Sequence, residues 1–409
     1  MKPTPARLAH AEAALAELLR FARPADQAMS AYFRRHRELG QQDRAFVAEA
    51  AFAVLRRRRS LEAAAGSGEP RALLLAALVR VFGLSGRALE ADPERMARLK
   101  SFRSESLSDA ERADLPDWLW QRLVGEHGAE EAAAIAQGLL APAPLDLRVN
   151  LAKTSRESVL ARLGLEAGPT RHSPAGIRLA GKPAINRHPL FLAGEVEVQD
   201  EGSQLLAYLV APRRGEMVAD FCAGAGGKTL ALAMLMQGTG RIYAMDVSSK
   251  RLGELAPRAS RAGISNVHPV ALSGENDLRA KRLAGKLDRV LVDAPCSGFG
   301  TLRRNPDLKW RHDASAVSEL AAKQARILAA AARLVKSGGR LVYATCSILA
   351  EENEDVARGF LEKSPEFEQI PAGDILRQQR IPLEQGAQLR LWPHVHGTDG
   401  FFAAAFRRR

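Results

Sequence analysis

Two cysteines stand at the ends of strand-like segments, where a thiol could act as a nucleophile. Cys296 closes the sequence Asp-Ala-Pro-Cys after the apolar segment DRVLVDA, and Cys346 lies near the end of GRLVYATCS. In an open α/β sheet, ligands bind at the carboxyl ends of the strands, so we expect both thiols at one rim. A free cysteine is most often buried and structural, which is the alternative for either residue alone. Two cysteines at strand ends, beside polar or turn residues, favour a catalytic role.

A glycine-rich turn, DFCAGAGGKT at 220–229, follows another apolar strand and opens a helix. Backbone amides in such a turn can approach a ligand closely. A P-loop requires glycine where this chain has Cys222, and a dinucleotide fingerprint requires glycine where it has Thr229. The remaining candidate ligand is S-adenosylmethionine (SAM), which is bound by a turn with an acid at the strand end and a loose GxG.

A second acid, Asp246, ends the next strand, RIYAMD, twenty residues after Gly226. A carboxylate there accepts both ribose hydroxyls of a bound nucleoside, in a geometry shared with NAD enzymes. Alternatively, Asp246 and the serines after it cap the following helix. After the third strand, either Asp277 or Glu275 is expected near an adenine ring, or these acids belong to a solvated loop.

Strands and helices alternate from about Val210 onward, and this alternation places the motifs on one sheet. Short apolar segments such as MVADF and DRVLVDA are separated by amphipathic stretches such as KTLALAMLM. The pattern predicts an α/β domain with a mostly parallel, doubly wound sheet. Before it, alternating apolar and polar residues surround the helix-like SRESVLARLGL. These segments predict a small α+β module that binds RNA or connects the domains.

The first part of the chain is rich in Ala, Leu and Arg at helical spacing and has few strand-like runs. It predicts a small all-α domain, in which turn signals such as GSGEP separate the helices. Three domains are therefore predicted: a helical domain at 1–130, the α+β module at 131–200, and the α/β domain at 201–409.

Charge is unevenly distributed along the 409 residues. Lys and Arg total 59 and Asp and Glu total 47, a net charge of +12, and residues 1–60 carry twelve basic and six acidic side chains. A basic balance favours a nucleic-acid partner. The run from Arg56 to Arg59 is either a phosphate-binding face or a solvated helix end whose cations complement the helix dipole.

Several classes of protein are disfavoured by composition. The three cysteines are isolated and form no CxxC pair, so we expect neither a bound metal nor a disulfide framework. No apolar run approaches the ~18 residues of a membrane span, and no signal-peptide stretch is evident. We therefore expect a cytoplasmic protein, and a monomer.

Four motifs occur in a characteristic order: DFCAGAGGKT, DAPCSGFGTLRRNPDLKW, YATCSILAEENE and the terminal DGFFAA. They resemble the motifs of the Sun/Nop family of RNA cytosine-5 methyltransferases, over residues 195–409. The helical start, with QQDRAFVAEAAFAVLRRRRSLE, is similar to the NusB-like domain of RsmB-like 16S rRNA methyltransferases, in a shortened form. The resemblance implies a class I SAM-dependent methyltransferase fold with a Rossmann-like sheet, after a NusB-like domain and an RRM-like or ferredoxin-like module. Ala225 stands where the family commonly has proline, which changes loop stiffness more than chemistry.

The resemblance implies methyl transfer from SAM to C5 of a cytosine in RNA, most directly 16S rRNA. C5 is a weak nucleophile, and a thiolate that adds to C6 activates it. By resemblance, Cys346 is the nucleophile, Cys296 assists product release, Asp293 holds the N3/N4 edge of the ring, and Lys228 orients Asp293 or the cytosine and favours a thiolate. The residues alone do not rank the two thiols, because DNA cytosine-5 methyltransferases use the cysteine of a Pro-Cys motif. The predicted cofactor contacts are Cys222, Ala223, Gly224, Gly226, Gly227, Lys228, Asp246, Arg251, Asp277 and Asp293.

The segment RRNPDLKWR at 303–311 mixes cations with Trp310, as a contact to single-stranded RNA does. A surface loop in which Trp310 packs against the sheet is the alternative, and we favour it for Trp310. The predicted RNA contacts are Arg56, Arg57, Arg58, Arg303, Arg304 and Lys309.

Three other functions compete with this interpretation. The substrate could be tRNA or another RNA, and the chain could be a SAM-binding RNA assembly factor without turnover. An adenine or guanine N-methyltransferase is disfavoured, because those enzymes carry Asn/Asp-Pro-Pro-aromatic where this chain has Asp-Ala-Pro-Cys at 293–296.

Overall fold

Helices precede strands along the chain in the computed structural model, which describes residues 2–89 and 92–409. The α-helices are α1 (Pro5–Leu18), α2 (Ala25–Arg35), α3 (Gln41–Arg56), α4 (Arg58–Ala65), α5 (Pro70–Arg80), α6 (Gly86–Leu89), α7 (Pro93–Ser101), α8 (Asp109–Arg112), α9 (Asp117–His127), α10 (Ala129–Leu140), α11 (Arg156–Arg162), α12 (Pro189–Leu192), α13 (Glu201–Val210), α14 (Gly227–Leu235), α15 (Ser249–Gly253), α16 (Leu255–Ala262), α17 (Leu278–Lys281), α18 (Leu308–Arg311), α19 (Ala314–Ala332), α20 (Glu354–Lys363), α21 (Ala372–Gln378) and α22 (Pro393–His396). The strands are β1 (Leu145–Val149), β2 (Ala167–Pro169), β3 (Gly176–Leu179), β4 (Val196–Val198), β5 (Met217–Asp220), β6 (Arg241–Asp246), β7 (Val267–Ala271), β8 (Leu287–Asp293), β9 (Val335–Thr345), β10 (Phe367–Ile370), β11 (Leu389–Leu391) and β12 (Phe401–Arg408).

The chain divides into two compact units. The helical unit comprises Met1–Pro142 and Thr301–Ala314, and the sheet unit comprises Ala143–Gly300 and Ser315–Arg409. The predicted boundary at residue 130 falls inside α10, and the strands of the predicted α+β module belong to the sheet unit. The segment 301–314, which follows the Asp-Ala-Pro-Cys motif, packs with the helical unit.

The core of the helical unit forms around α5, whose residues from Ala72 to Leu78 are all buried. A helix that is apolar all round must be covered on every side, and α1, α3, α4 and α7 lie against it. Local signals define the first helix: the hydroxyl of Thr4 accepts a hydrogen bond from the Arg7 amide, and Pro5 occupies the first turn. The predicted all-helical character of this region agrees with the structure.

A small antiparallel sheet begins the sheet unit. Its strands lie in the order β2-β3-β1-β4, and α11 packs against it. Leu147 and Val149 of β1 are buried with Ile177 of β3 and Val159 of α11. This is the α+β arrangement that the sequence pattern predicts for this part of the chain.

The large sheet has the order β10-β12-β9-β8-β5-β6-β7, with β11 paired to β12. Neighbouring strands from β9 to β7 are parallel, whereas β12 is antiparallel to β9, β10 and β11. Buried side chains cover both faces, as a parallel sheet requires. The predicted doubly wound, mostly parallel sheet is confirmed. The strand order reverses between β5 and β8, and the carboxyl ends of these strands are where ligands bind in such sheets.

Within the described parts of the chain, no helix combines the length and the apolar character needed to cross a membrane.

Candidate active site

The glycine-rich turn joins β5 to α14 at the point where the strand order reverses. Gly226, with a φ of +85°, directly precedes the first residue of α14. Gly224 has a φ of +55°, and a Cβ there would lie 2.1 Å from a guanidinium nitrogen of Arg251. Both positions therefore need glycine, and the turn offers backbone groups without side chains at the carboxyl end of β5.

Two arginines outside the predicted site donate hydrogen bonds to carbonyl groups of this turn. Nη1 of Arg258 donates to the carbonyl of Ala225 at 2.6 Å, and Nη1 of Arg148 donates to the carbonyl of Gly227 at 2.8 Å. Arg148 lies on β1 of the small sheet, and its burial lowers its pKa to about 10. No sequence signal marks either residue, since both lie outside the motifs. The small sheet thus braces the turn.

Asp220, at the end of β5, is a buried carboxylate under the turn. Its Oδ2 accepts a hydrogen bond from the hydroxyl of Thr229 at 2.7 Å, while its Oδ1 is buried without a partner. Burial raises the pKa of Asp220 to about 7, and the nearby carboxylates of Asp293 and Asp246 add to the shift. An unpaired buried oxygen at this place fits a hydrogen-bond donor on a ligand.

Asp246 lies at the end of β6 and binds two backbone amides. Its Oδ2 accepts from Gly224 and its Oδ1 from Ser248, each at 2.8 Å. The capping of α15 is done by Ser248, whose hydroxyl accepts the amide of Arg251. Each carboxylate oxygen keeps a second lone pair, so Asp246 can still accept hydroxyl groups of a ligand. The guanidinium of Arg251 is 3.9 Å from the carboxylate.

The acids after the third strand, β7, have partners of their own. Asp277 caps α17 and accepts hydrogen bonds from Ser273 and Arg279, and those from Arg279 hold the pKa of Asp277 well below its usual range. Glu275 lies 3.3 Å from Arg326 in an ion pair. Both carboxylates are therefore already engaged by side chains of the protein.

Two exposed apolar side chains follow the acids of this rim. Val247 comes directly after Asp246 and Leu278 directly after Asp277, and their exposed fractions are 66% and 71%. Isolated exposed apolar residues are ordinary, but among the large apolar side chains that the structure describes these two are the most exposed, followed by Leu192 at 62%. Their position directly after strand-end acids is the sequence signal that marks them, although they lie outside the predicted site.

The two cysteines at the strand ends meet. The Sγ atoms of Cys296, in the loop after β8, and Cys346, directly after β9, are 3.3 Å apart, and both residues are partly exposed. The hydrogen bond to Cys346, together with burial, raises the pKa of Cys296 well above its usual value. Burial also raises the pKa of Cys222, with help from nearby carboxylates. Cys222 therefore stays protonated in the turn, as a packing residue does.

An ion pair stands beside the thiols. Nζ of Lys228, in the first turn of α14, donates to Oδ2 of Asp293, at the end of β8, over 2.6 Å. Burial alone would lower the pKa of Lys228, but the carboxylate of Asp293 outweighs it and raises that pKa, and Cys346 adds to the effect. The Lys228 ammonium also lies 5.8 Å from the centre of the Phe401 ring. An ammonium, a carboxylate and two thiols thus share one rim of the sheet.

The predicted RNA-contact residues fall into two groups in the helical unit. In the first group, Nζ of Lys309 donates to the carbonyl of Arg56, and Nη2 of Arg56 donates to the carbonyl of Arg303. Only 2% of Lys309 and 5% of Arg303 are exposed, and burial lowers the pKa of Lys309 to about 7. These side chains hold the segment 301–314 to the end of α3. Their placement does not favour phosphate contacts by Lys309 or Arg303.

The second group, Arg57, Arg58 and Arg304, is partly exposed. Trp310 packs inside the helical unit: its indole nitrogen donates to the carbonyl of Leu55 at 2.8 Å, and the Arg58 guanidinium lies 5.7 Å from the ring centre. The prediction that Trp310 packs against the protein therefore agrees with the structure. Its contact is with α3, however, and not with the sheet as predicted. Its ring is already in contact with a cation.

Comparisons with known proteins agree with this geometry. Residues 207–407 match the family model described as 16S rRNA methyltransferase RsmB/F, and residues 115–186 match the ferredoxin-like domain described for RsmF/B-like methyltransferases. A probable ribosomal RNA small subunit methyltransferase B from Synechocystis is 37% identical over 74% of this chain and 69% of its own length. The corresponding probable enzyme of Bacillus subtilis is 34% identical over 72% of this chain and 66% of its own length. The chain therefore spans about two thirds of these relatives.

Solved structures extend the comparison to the fold. The crystal structure of PH0851 is 27% identical, covers 100% of both chains and superposes with a TM-score of 0.81. A methyltransferase homolog protein from Pyrococcus horikoshii is 31% identical, with a TM-score of 0.64 over 75% of this chain and 100% of its own.

Proposed function

Because the chain belongs to the RsmB/F family of 16S rRNA methyltransferases and has the class I SAM-dependent methyltransferase fold, we propose that it transfers a methyl group from SAM to C5 of a cytosine in RNA. The observation that carries this proposal is the 3.3 Å approach of the Cys296 and Cys346 Sγ atoms beside the Lys228–Asp293 ion pair. Methylation of a ring nitrogen or of a ribose needs no thiol, whereas C5 methylation needs one as a nucleophile.

The glycine-rich turn and its acids fit SAM. The unpaired Oδ1 of Asp220 lies below the turn, and Asp246 keeps lone pairs for the two ribose hydroxyls. Val247 and Leu278 offer exposed apolar surface for an adenine ring. The other proposed contacts are Cys222, Ala223, Gly224, Gly226, Gly227, Lys228, Arg251, Asp277 and Asp293. Bound SAM would supply an electrophilic methyl group at this rim.

In the proposed mechanism, Cys346 begins the reaction. Its thiolate adds to C6 of the cytosine, so that an Sγ–C6 bond forms and the C5=C6 electron pair moves toward C5. Asp293 holds the N3/N4 edge of the ring, and Lys228 keeps Asp293 in place through their hydrogen bond. Lys228 also interacts electrostatically with Cys346, which contributes to raising the pKa of Lys228.

Product release requires a proton to leave C5. Once C5 is methylated, a base takes this proton, the C5=C6 double bond re-forms, and the electrons of the Sγ–C6 bond return to Cys346. Cys296 is the second thiol at the site, and its Sγ lies 3.3 Å from that of Cys346. We assign it to this release step. Lys228, Asp293, Cys296 and Cys346 thus form the proposed catalytic group.

For RNA binding, we assign phosphate contacts to the partly exposed Arg57, Arg58 and Arg304. Each lost phosphate contact should reduce the slope of log K against log[salt] by about 0.7 to 0.9. Replacement of Arg57 by Gln tests this with a fluorescently labelled rRNA fragment. A slope equal to that of the wild type would remove Arg57 from the RNA-binding surface.

The test of the function is a comparison of rRNA from cells with and without the gene. Bisulfite sequencing of 16S rRNA should show one cytosine that loses protection in the deleted strain, and the purified protein with SAM should restore it. If every 16S cytosine is unchanged but another RNA, such as tRNA, loses 5-methylcytosine, the ribosomal substrate is wrong and the chemistry stands. If no RNA gains 5-methylcytosine from protein and SAM, the proposed function is wrong.

A further inference from the structure

Behind the two cysteines lies a buried carboxylate that the proposed mechanism does not use. Glu352 follows Cys346 by six residues in the segment YATCSILAEENE, and none of its surface is exposed. An acidic run of this kind is typical of a solvated helix start. Here the second acid of the run points into the protein instead, and a buried carboxylate needs several hydrogen bonds to be stable there.

The partners of Glu352 come from both cysteine loops. Its Oε1 accepts the amide of Ser297, at 2.8 Å, and Nε2 of Gln324, at 2.9 Å. Its Oε2 accepts the hydroxyls of Ser297 and Ser347. Ser297 directly follows Cys296 and Ser347 directly follows Cys346, so one carboxylate joins the two loops that carry the thiols.

Further contacts complete the connection. Gln324, which is itself buried, donates from Nε2 to the carbonyl of Pro295, at 3.0 Å, on the other side of Cys296. The hydroxyl of Tyr343 donates to the backbone carbonyl of Glu352. The amide of Leu349 donates to the Ser347 hydroxyl at 3.2 Å, which directs the Ser347 hydrogen toward Glu352. The hydrogen bonds of these buried polar groups therefore fix the separation of the two loops that carry the thiols.

From this arrangement we propose that Glu352 is a positioning residue, which holds the Cys296 and Cys346 loops against each other through its hydrogen bonds to Ser297 and Ser347. The inference rests on the proposed function and deepens it. Two thiols at 3.3 Å do not ionise together, because like charges so close repel each other. The negative charge of Glu352 contributes to raising the pKa of Cys296, after the larger effects of the Cys346 hydrogen bond and burial.

The test compares Glu352→Gln with a matched control, Glu201→Gln. Glu201 is also fully buried in the sheet unit, but its Oε1 accepts the amides of His172 and Ser173 rather than groups of the cysteine loops. Both variants remove one buried charge and keep the side-chain shape. We would measure the single-turnover rate of methyl transfer, the Kd for SAM, the melting temperature, and the rates at which iodoacetamide alkylates Cys296 and Cys346 between pH 6 and 9.

We expect Glu352→Gln to slow single-turnover methyl transfer by about 100-fold, because a small misplacement of reacting groups has effects of this size. Its Kd for SAM should stay within about twofold of the wild type, and alkylation should shift toward Cys296. Glu201→Gln should lower the melting temperature but keep both the rate and the alkylation ratio. If Glu352→Gln does not fold, Ser347→Ala, which removes one donor to the same carboxylate, should show a smaller change of the same kind.

The inference is overturned if Glu352→Gln and Glu201→Gln have the same methyl-transfer rate and the same alkylation ratio. Failure of the proposed function gives a different result from failure of this inference, because the wild-type protein would then transfer no methyl group to cytosine in RNA. In that case the alkylation ratio, which needs neither RNA nor SAM, still decides whether Glu352 positions the thiols.

Discussion

The Sγ atoms of Cys296 and Cys346 lie 3.3 Å apart, although 50 residues separate them in the chain. They come from loops after neighbouring parallel strands, β8 and β9, so the sheet register brings them together. This contact determines how each thiol can behave.

Separate replacement of the two cysteines should give different losses. Cys346→Ala should reduce methyl transfer by at least about 10³-fold, because the proposed nucleophile is lost and the raised pKa of Cys296 makes that thiol a poor substitute. Cys296→Ala should accumulate a covalent protein–RNA adduct, visible as a slower band on denaturing gels, because the release step fails. Cys222→Ala, which removes the third thiol, is the control and should accumulate no adduct. Near-normal turnover by Cys346→Ala would contradict the assignment of the nucleophile.

Mild oxidation should inactivate the protein reversibly. Diamide would take two electrons and two protons from the Cys296 and Cys346 thiols and leave a disulfide between them, since small side-chain rotations suffice at 3.3 Å. Of the three free thiols, one should remain by titration with Ellman's reagent, and dithiothreitol should restore activity. Peptide mapping that finds Cys222 in the disulfide, or three thiols after treatment, would count against the observed geometry.

The Lys228–Asp293 ion pair should behave as one unit. Lys228→Met and Asp293→Asn should each reduce methyl transfer by about 10²- to 10³-fold, because each leaves a poorly compensated charge beside the thiols. The double variant should lose little more than either single variant, which a double-mutant cycle of rates would show. Lys336→Met serves as the control. Lys336 pairs with Asp288 near the amino ends of β9 and β8, whereas the thiols follow the carboxyl ends of these strands. If the loss of rate in the double variant equalled the product of the two single losses, the two residues would act separately.

The glycine-rich turn should not tolerate a side chain at Gly224. Gly224→Ala would need a positive φ of 55° and would place a Cβ 2.1 Å from the guanidinium of Arg251, which must then move away from the turn and from Asp246. We expect the Kd for SAM, measured by calorimetry, to rise by at least about tenfold. Gly338→Ala is the control, because Gly338 has a similar φ of +73° with open space around it. Equal SAM affinity in the two variants would argue against binding at this turn.

Stability should depend on pH through Lys309. Burial lowers the pKa of Lys309 from 10.5 to about 7, so the unfolded chain binds more protons than the folded one between pH 7 and 10.5. The free energy of unfolding should therefore rise with pH in this window, by up to about 1.4 kcal/mol per pH unit. Lys309→Met should flatten the rise, as measured by urea unfolding from pH 7 to 10. An unchanged slope would mean that Lys309 is not buried in its neutral form.

The predicted elements follow from patterns that the chain carries locally. Alternation of apolar segments with amphipathic stretches is enough to predict the parallel sheet, since each strand must be buried on both faces. The end of the helical region does not follow from a local pattern. The predicted boundary at 130 lies within α10, because an Ala-rich helix gives no local signal where one unit ends. The segment 301–314 also packs with the helical unit, although its sequence continues directly from the Cys296 motif.

The sequence by itself determined which chemistry is available. Glycines at a strand end, two cysteines at others, and acids after β5, β6 and β8 follow from residue order, because parallel strands all end at one rim. Only the tertiary structure decided which of these groups touch. The pairing of Lys228 with Asp293, the 3.3 Å approach of the thiols, and the burial of Lys309 depend on atoms from distant segments. Glu352 shows the limit most clearly: in an acidic run it resembles a solvated side chain, and its burial depends on Ser297 and Gln324, which reach it from other elements.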